Sequence, residues 1–109
     1  MIARRLQGLP HREVLGFDFP VARGCGARLL GLSRLDRDEA GPGLLIPRCA
    51  SVHTFGMGFP LDLVFLDADG LPLTVRLAVP PRRLAWHRGA AAVLELPSRE
   101  GGELPSLWA

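Results

Sequence analysis

Leu61-Asp62-Leu63-Val64-Phe65-Leu66-Asp67 runs into Ala68-Asp69-Gly70, and Leu71-Pro72-Leu73-Thr74-Val75-Arg76-Leu77-Ala78-Val79 runs out of it. Two apolar, strand-length runs joined by an Asp-Gly turn signal form a β-hairpin. Two registers compete for it. A two-residue Asp69-Gly70 turn pairs Asp62 with Leu77, whereas a three-residue loop with Gly70 left-handed pairs Asp62 with Arg76. The second register gathers Leu61, Leu63 and Phe65 on one face with Leu71, Leu73, Val75 and Leu77, and leaves Asp62, Thr74 and Arg76 together on the other. A slip of one residue would scramble that sorting, so the hydrophobic pattern selects the three-residue loop.

Outward from the hairpin the chain keeps the same short-element grammar. Thirteen Gly and ten Pro among 109 residues interrupt it every few positions, which favours short strands and turns over a helical bundle. Glu13 to Ala22 reads as one strand, or as two broken at Gly16 or Pro20. Leu29, Leu32 and Leu35 fall at helical spacing and predict one short helix near residues 27–35, although Gly31 weakens it. Asp36 to Gly43 reads as a surface loop, Leu44-Leu45-Ile46 as a strand stopped by Pro47, and Ala90 to Leu96 as a strand ending at Pro97. Pro80-Pro81-Arg82-Arg83 breaks the sheet direction. Residues 98–109 read as a C-terminal tail, whose Leu107 and Trp108 are able to dock on the core. The expected fold is mainly β: a compact antiparallel sandwich or partly open barrel, formed as a single domain by residues 1–109.

Bulk composition excludes several classes. With 48% apolar and 22% charged residues the chain has the make-up of an ordinary globular domain rather than a disordered one. The longest uncharged stretch, Cys49 to Leu61, is too short to span a bilayer, which needs about 20 mostly apolar residues. The N-terminus lacks the apolar stretch of a signal peptide, so a cytoplasmic location is expected. Cys25 and Cys49 have no Cys-x-x-Cys spacing, which indicates neither a disulfide scaffold nor a cysteine zinc cluster. All 13 basic residues are Arg, and the net charge is +2. They are scattered: Arg4-Arg5 and Arg82-Arg83 are the adjacent pairs, and no aromatic interleaves them, which argues against nucleic-acid binding.

Reactive residue types gather between Arg48 and Asp62. Cys49 or Ser51 as nucleophile, His53 as base and Asp62 as its orienting partner would make a hydrolytic constellation. Against it, Ser51 and His53 are close in sequence on one strand, and no Gly-x-Ser-x-Gly elbow is present. His53 and Asp62, with His87, would also supply three donors for an open metal site, but their spacing matches no compact ligand motif, and no metal or cofactor is assigned. The plainer alternatives are a strand histidine bonded to backbone groups and an Asp62–Arg76 cross-strand ion pair. Phe55, Met57 and Phe59 alternate, so they either line an apolar groove or belong to the core. Trp86, in Trp86-His87-Arg88, is a further candidate contact.

Gly31-Leu32, Gly43-Leu44-Leu45-Ile46, the run from Cys49 through Ser51-Val52-His53-Thr54-Phe55-Gly56-Met57, Phe59-Pro60-Leu61-Asp62-Leu63-Val64-Phe65-Leu66-Asp67, Asp69-Gly70, and finally Val93-Leu94-Glu95-Leu96-Pro97 together resemble the prokaryotic family labelled domain of unknown function 192. The resemblance covers about residues 20–97. It implies a compact β-rich, sandwich-like domain with a short helix near Gly31-Leu32, and no established activity. Its signatures fall on Met57, Pro60 and Asp62; many members have Trp-Met where this chain has Gly56-Met57, and the C-terminal continuation differs from Ser98 onward.

The expected function is a non-catalytic binding or accessory module for a small molecule or protein, its site around residues 49–62 and formed by Phe55, Met57, Phe59, Asp62 and Trp86. The alternative is a small hydrolase or metal-assisted enzyme using His53 and Asp62 with Cys49 or Ser51.

Overall fold

Strand Leu61–Leu66 is buried at every position, because the rest of the protein packs on both of its faces. In chain order the computed structural model, which describes residues 1–24, 28 and 30–98, holds a 3-10 turn at Arg4–Leu6, then β1 (His11–Val14), β2 (Phe17–Pro20), the one-turn helix α1 (Arg37–Ala40), β3 (Leu44–Pro47), β4 (Ser51–His53), β5 (Leu61–Leu66), β6 (Pro72–Val79), β7 (Leu84–Trp86) and β8 (Ala92–Pro97). The strands form three open antiparallel sheets: the hairpin β1-β2, a four-stranded sheet of order β3-β8-β5-β6, and the ribbon β4-β7. The protein is mainly β, as expected, and among the described residues no sheet closes into a barrel.

The inner strands β5 and β8 are apolar at every position but Asp62 and Glu95, as suits strands covered on both faces. On one face Leu44, Ile46, Leu61, Leu63, Phe65 and Val93 pack with Val52 and Ala85 of the β4-β7 ribbon and with Leu32, Met57 and Phe59. On the other, Leu45, Val64, Leu66, Leu94 and Leu96 pack with Val14 and Phe19 of the β1-β2 hairpin. A single parallel bridge, Val21 with Leu45, ties that hairpin to β3. The result is a three-layer arrangement with the four-stranded sheet in the middle.

Of the two readings of Glu13 to Ala22, the break at Gly16 is the one formed: Leu15 and Gly16 both take positive φ, 54° and 85°, as a two-residue hairpin turn of mirror type demands. In the region read as a helix, Arg28 and Leu30 are helical and residues 31–34 form a turn, while 27 and 29 lie outside the described residues; so do Cys25 and the tail from residue 99. The expected loop after Leu35 contains α1. Asp36 accepts from the Glu39 N–H at 2.8 Å, and the Glu39 carboxylate accepts from the Asp36 N–H at 3.0 Å. An Asp-x-x-Glu capping box is enough to start a helical turn there.

The β5-β6 hairpin follows the expected loop but departs from the expected register. Gly70 takes φ +81°, Asp67 N–H donates to Leu71 O at 2.8 Å, and Gly70 N–H donates to Asp67 O at 3.1 Å, closing a three-residue loop. Leu66 then pairs with Pro72 but Phe65 with Thr74, so Leu73 is an extra residue on β6 and the pairing shifts there. Arg76 therefore lies opposite Leu63 rather than Asp62, and Val75 opposite Val64. Thr74 and Arg76 share the face of Leu63 and Phe65. Leu71, Leu73, Val75 and Leu77 stand exposed on this edge strand, the reverse of the sorting that chose the register.

Candidate functional site

The buried chemistry of the protein centres on Glu95, in the middle of β8. Its neighbours Val93, Leu94 and Leu96 are core residues, and Glu95 itself is 1% exposed. Paired with Leu44 on β3 and Leu63 on β5, it projects on the face that meets the β4-β7 ribbon. The Leu32 N–H donates to Oε1 at 3.2 Å. Among the described residues no cation forms an ion pair with this carboxyl. Burial pushes it up from its ordinary 4.5 to about 7, with the Leu32 hydrogen bond pulling weakly the other way.

Glycines make room for it. Gly31 holds φ +52°, and a Cβ there would stand 2.5 Å from Glu95 Oε1. Gly43, at φ +138°, meets the Glu95 carbonyl oxygen, which a Cβ would approach to 2.5 Å. Arg5 clamps the Gly31 turn from outside, its Nη2 donating to Gly31 O at 3.0 Å and also to Ser33 O. Three separated pieces of the pattern quoted above, Gly31-Leu32, the Gly43 strand and the Val93 to Pro97 strand, thus meet at one residue, Glu95.

Glu95 lies against a cleft of about 360 Å³, whose other walls are Arg28, Ser51, Val52, His53, Leu84, Ala85 and Trp86. That volume falls at the small end of ligand sites, which run to roughly 300–1,000 Å³. The ribbon supplies most of the walls because Ser51 pairs with Trp86, Val52 with Ala85 and His53 with Leu84. Val52 and Ala85 turn inward to the core, while Trp86 and Leu84 are both 65% exposed at the rim. Arg28 donates from Nη2 to Arg48 O at 2.5 Å, and its Nε is buried with no acceptor. A larger cleft of about 440 Å³, between β1 and the tip of the β5-β6 hairpin, holds Arg12, Arg48, Asp67 and Asp69. There the Asp67 carboxylate is bonded within its own turn, to the N–H groups of Asp69 at 2.8 Å and Leu71 at 3.0 Å.

The residues singled out from sequence are distributed as follows. Ser51, His53 and Trp86 line the Glu95 cleft. Asp62 does not reach it: it pairs with Leu96 while Leu63 pairs with Glu95, so its side chain leaves the opposite face of the sheet. Asp62 is 1% exposed. Instead of an ion pair with Arg76, Asp62 Oδ1 accepts from the Ala78 N–H at 2.8 Å, where the backbone takes φ +51°. Cys49 donates its thiol to Ser51 O at 2.9 Å. The relay of nucleophile, His53 and Asp62 is therefore not assembled. His87 Nδ1 accepts from the Gly89 N–H at 3.1 Å. Among the described residues no three His, Cys, Asp or Glu side chains converge as a metal would need.

Phe55, Met57 and Phe59 separate. Met57 and Phe59 are buried in the core, and Phe55 is exposed with its ring 6.0 Å from that of His53. Phe59 also carries the Arg37 guanidinium 5.4 Å from its ring centre. The sequence reading missed Glu95 and Arg28. One charged residue inside an apolar run flanked by turn residues, Ala90 to Pro97, was the available signal for Glu95.

Two crystal structures share this architecture. A protein of unknown function from Novosphingobium aromaticivorans DSM 12444 superposes with a TM-score of 0.62 at 21% identity, over 88% of this chain and 79% of its own. A protein from Sinorhizobium meliloti 1021, described as a proposed transcription regulator, gives 0.66 at 24% identity, over 75% of this chain and 70% of its own. At such identities the likeness is one of fold. No curated protein matches the chain. No helix among the described residues is long and apolar enough to cross a membrane. The sequence profile of DUF192, described as Uncharacterized ACR, matches residues 10–102, a wider span than the resemblance suggested, and the chain belongs to that family.

Proposed function

We propose that this protein is a small-molecule-binding module without catalytic activity of its own, its ligand entering beside the β4-β7 ribbon and meeting Glu95 at the floor of the cleft. The observation that carries the reading is the buried carboxyl itself. Placing an ionisable group in an apolar strand costs several kcal/mol unless something compensates it. Among the described residues the hydrogen bond that compensates it is one backbone N–H, 3.2 Å away. A carboxyl kept at that cost against a cleft with Val52, Leu84, Ala85 and Trp86 in its walls is the arrangement of binding sites, in which apolar walls supply affinity and a few polar groups supply orientation.

This reading moves the site from residues 49–62 toward the ribbon and β8. It keeps Trp86 as an aromatic contact and leaves Met57 and Phe59 to the core. A fragment screen followed by amide NMR tests it. Compounds that bind should shift the amides of Ser51, Val52, His53, Leu84, Ala85, Trp86 and Glu95 as one group. A screen in which no compound moves that group above the background of the other amides overturns the proposal.

A further inference from the structure

We infer that the Glu95 cleft takes a small zwitterion of the amino-acid type, its ammonium group against Glu95, its carboxylate against Arg28 and an apolar side chain among Leu84, Ala85 and Trp86. This rests on the cleft being a binding site and adds the class of its ligand. Among the described residues, the ionisable side chains that line the cleft are Arg28, His53 and Glu95. Arg28 and an ionised Glu95 are of opposite charge, yet no ion pair joins them. Each is left with unused bonding capacity. Arg28 spends Nη2 on the Arg48 carbonyl and keeps a buried Nε without an acceptor. Glu95 accepts one backbone N–H on Oε1.

A ligand that is only a cation satisfies Glu95 but meets the guanidinium, and one that is only an anion does the reverse. A cation-only ligand leaves the buried Arg28 Nε without an acceptor, and an anion-only ligand leaves the buried Glu95 carboxyl uncompensated. A molecule with both groups on one carbon compensates both ends at once. Charge-assisted hydrogen bonds of this kind are about twice as strong as neutral ones. Trp86, exposed at the rim, offers a flat apolar face for the side chain.

The test compares four probes that share the isobutyl group of the leucine side chain: L-leucine, 3-methylbutylamine, 4-methylpentanoate and 4-methylpentan-1-ol, each titrated by amide NMR into the folded protein. The inference expects L-leucine to shift the cleft amides with an affinity at least tenfold tighter than either singly charged probe. It further expects Arg28→Met to weaken L-leucine to the level the amine shows on the unaltered protein without weakening the amine, and Glu95→Gln to weaken L-leucine to the level of the acid. If library compounds shift the cleft amides but L-leucine binds no tighter than the alcohol, the zwitterion assignment is wrong and the binding site stands. If neither the four probes nor any library compound shifts those amides, both readings fall. The comparison on the unaltered protein carries the result even where a variant folds poorly.

Discussion

A methyl group on Gly31 would stand 2.5 Å from Glu95 Oε1, and the next residue, Leu32, gives that oxygen its backbone hydrogen bond at 3.2 Å. The turn at residues 31–34 and the middle of β8 are thus one unit. Gly31→Ala should cost about 2 kcal/mol or more, from left-handed strain of about 1 kcal/mol and the forced displacement of the carboxyl. In a Glu95→Ala background the cost should fall to the backbone strain alone. Denaturant unfolding of the four proteins measures the coupling, expected at about 1 kcal/mol; additive costs would mean that the contact has no energetic weight.

Stability should report the state of Glu95. Its unfolded carboxyl titrates near 4.5 and its folded one at about 7, so between those values the folded protein holds a proton that the unfolded chain has released. Stability from this group is full below pH 4.5, falls as pH rises to 7 and is level above. The loss is about 3 kcal/mol across the window. Glu95→Gln has no such proton, so its stability relative to the unaltered protein should climb by that amount from pH 4.5 to 7.5. Parallel pH profiles for the two proteins would show that the carboxyl is solvated.

Asp62 has a structural duty on the other face of the sheet. Asp62→Ala removes the acceptor of the Ala78 N–H and should destabilise the protein by about 1–3 kcal/mol, with faster amide exchange at Ala78. Ligand titrations at the Glu95 cleft should be unchanged in this variant. A loss of cleft binding with stability intact would restore Asp62 to the site.

Trp86 should behave in the opposite way. It is largely exposed at the rim, so Trp86→Ala should change unfolding stability by less than about 1 kcal/mol. Affinity of cleft ligands should drop roughly fivefold, the equivalent of about 1 kcal/mol of aromatic contact. Equal affinity in the variant would remove Trp86 from the binding surface.

Which parts of this were readable from the chain follows from how local each determinant is. The Gly70 loop and the strands β3, β5 and β8 are written in consecutive residues, and they formed as read; the break at Gly16 is one of the alternatives the sequence left open. The family pattern likewise pointed to a β-rich fold. The hairpin register was not local: Leu73 bulges out and Ala78 turns to positive φ with Asp62 bonded to its N–H, so the face assignment of β6 inverted. The capping box that makes α1 was present in Asp36 and Glu39 but was read as charge in a loop. At the site, Ser51, His53 and Trp86 were recognisable by residue type. Glu95 was hidden inside an apolar strand, and its connection to Gly31 spans 64 residues of sequence, a relationship that only the fold creates.

Carbon-13 NMR of the side-chain carboxyls, followed across pH with and without a cleft ligand, tests the central claim most directly. The account predicts a Glu95 carboxyl that titrates at about 7 in the free protein and well below that when an ammonium-bearing ligand fills the cleft. A Glu95 carboxyl that titrates near 4.5 and ignores every ligand would contradict it.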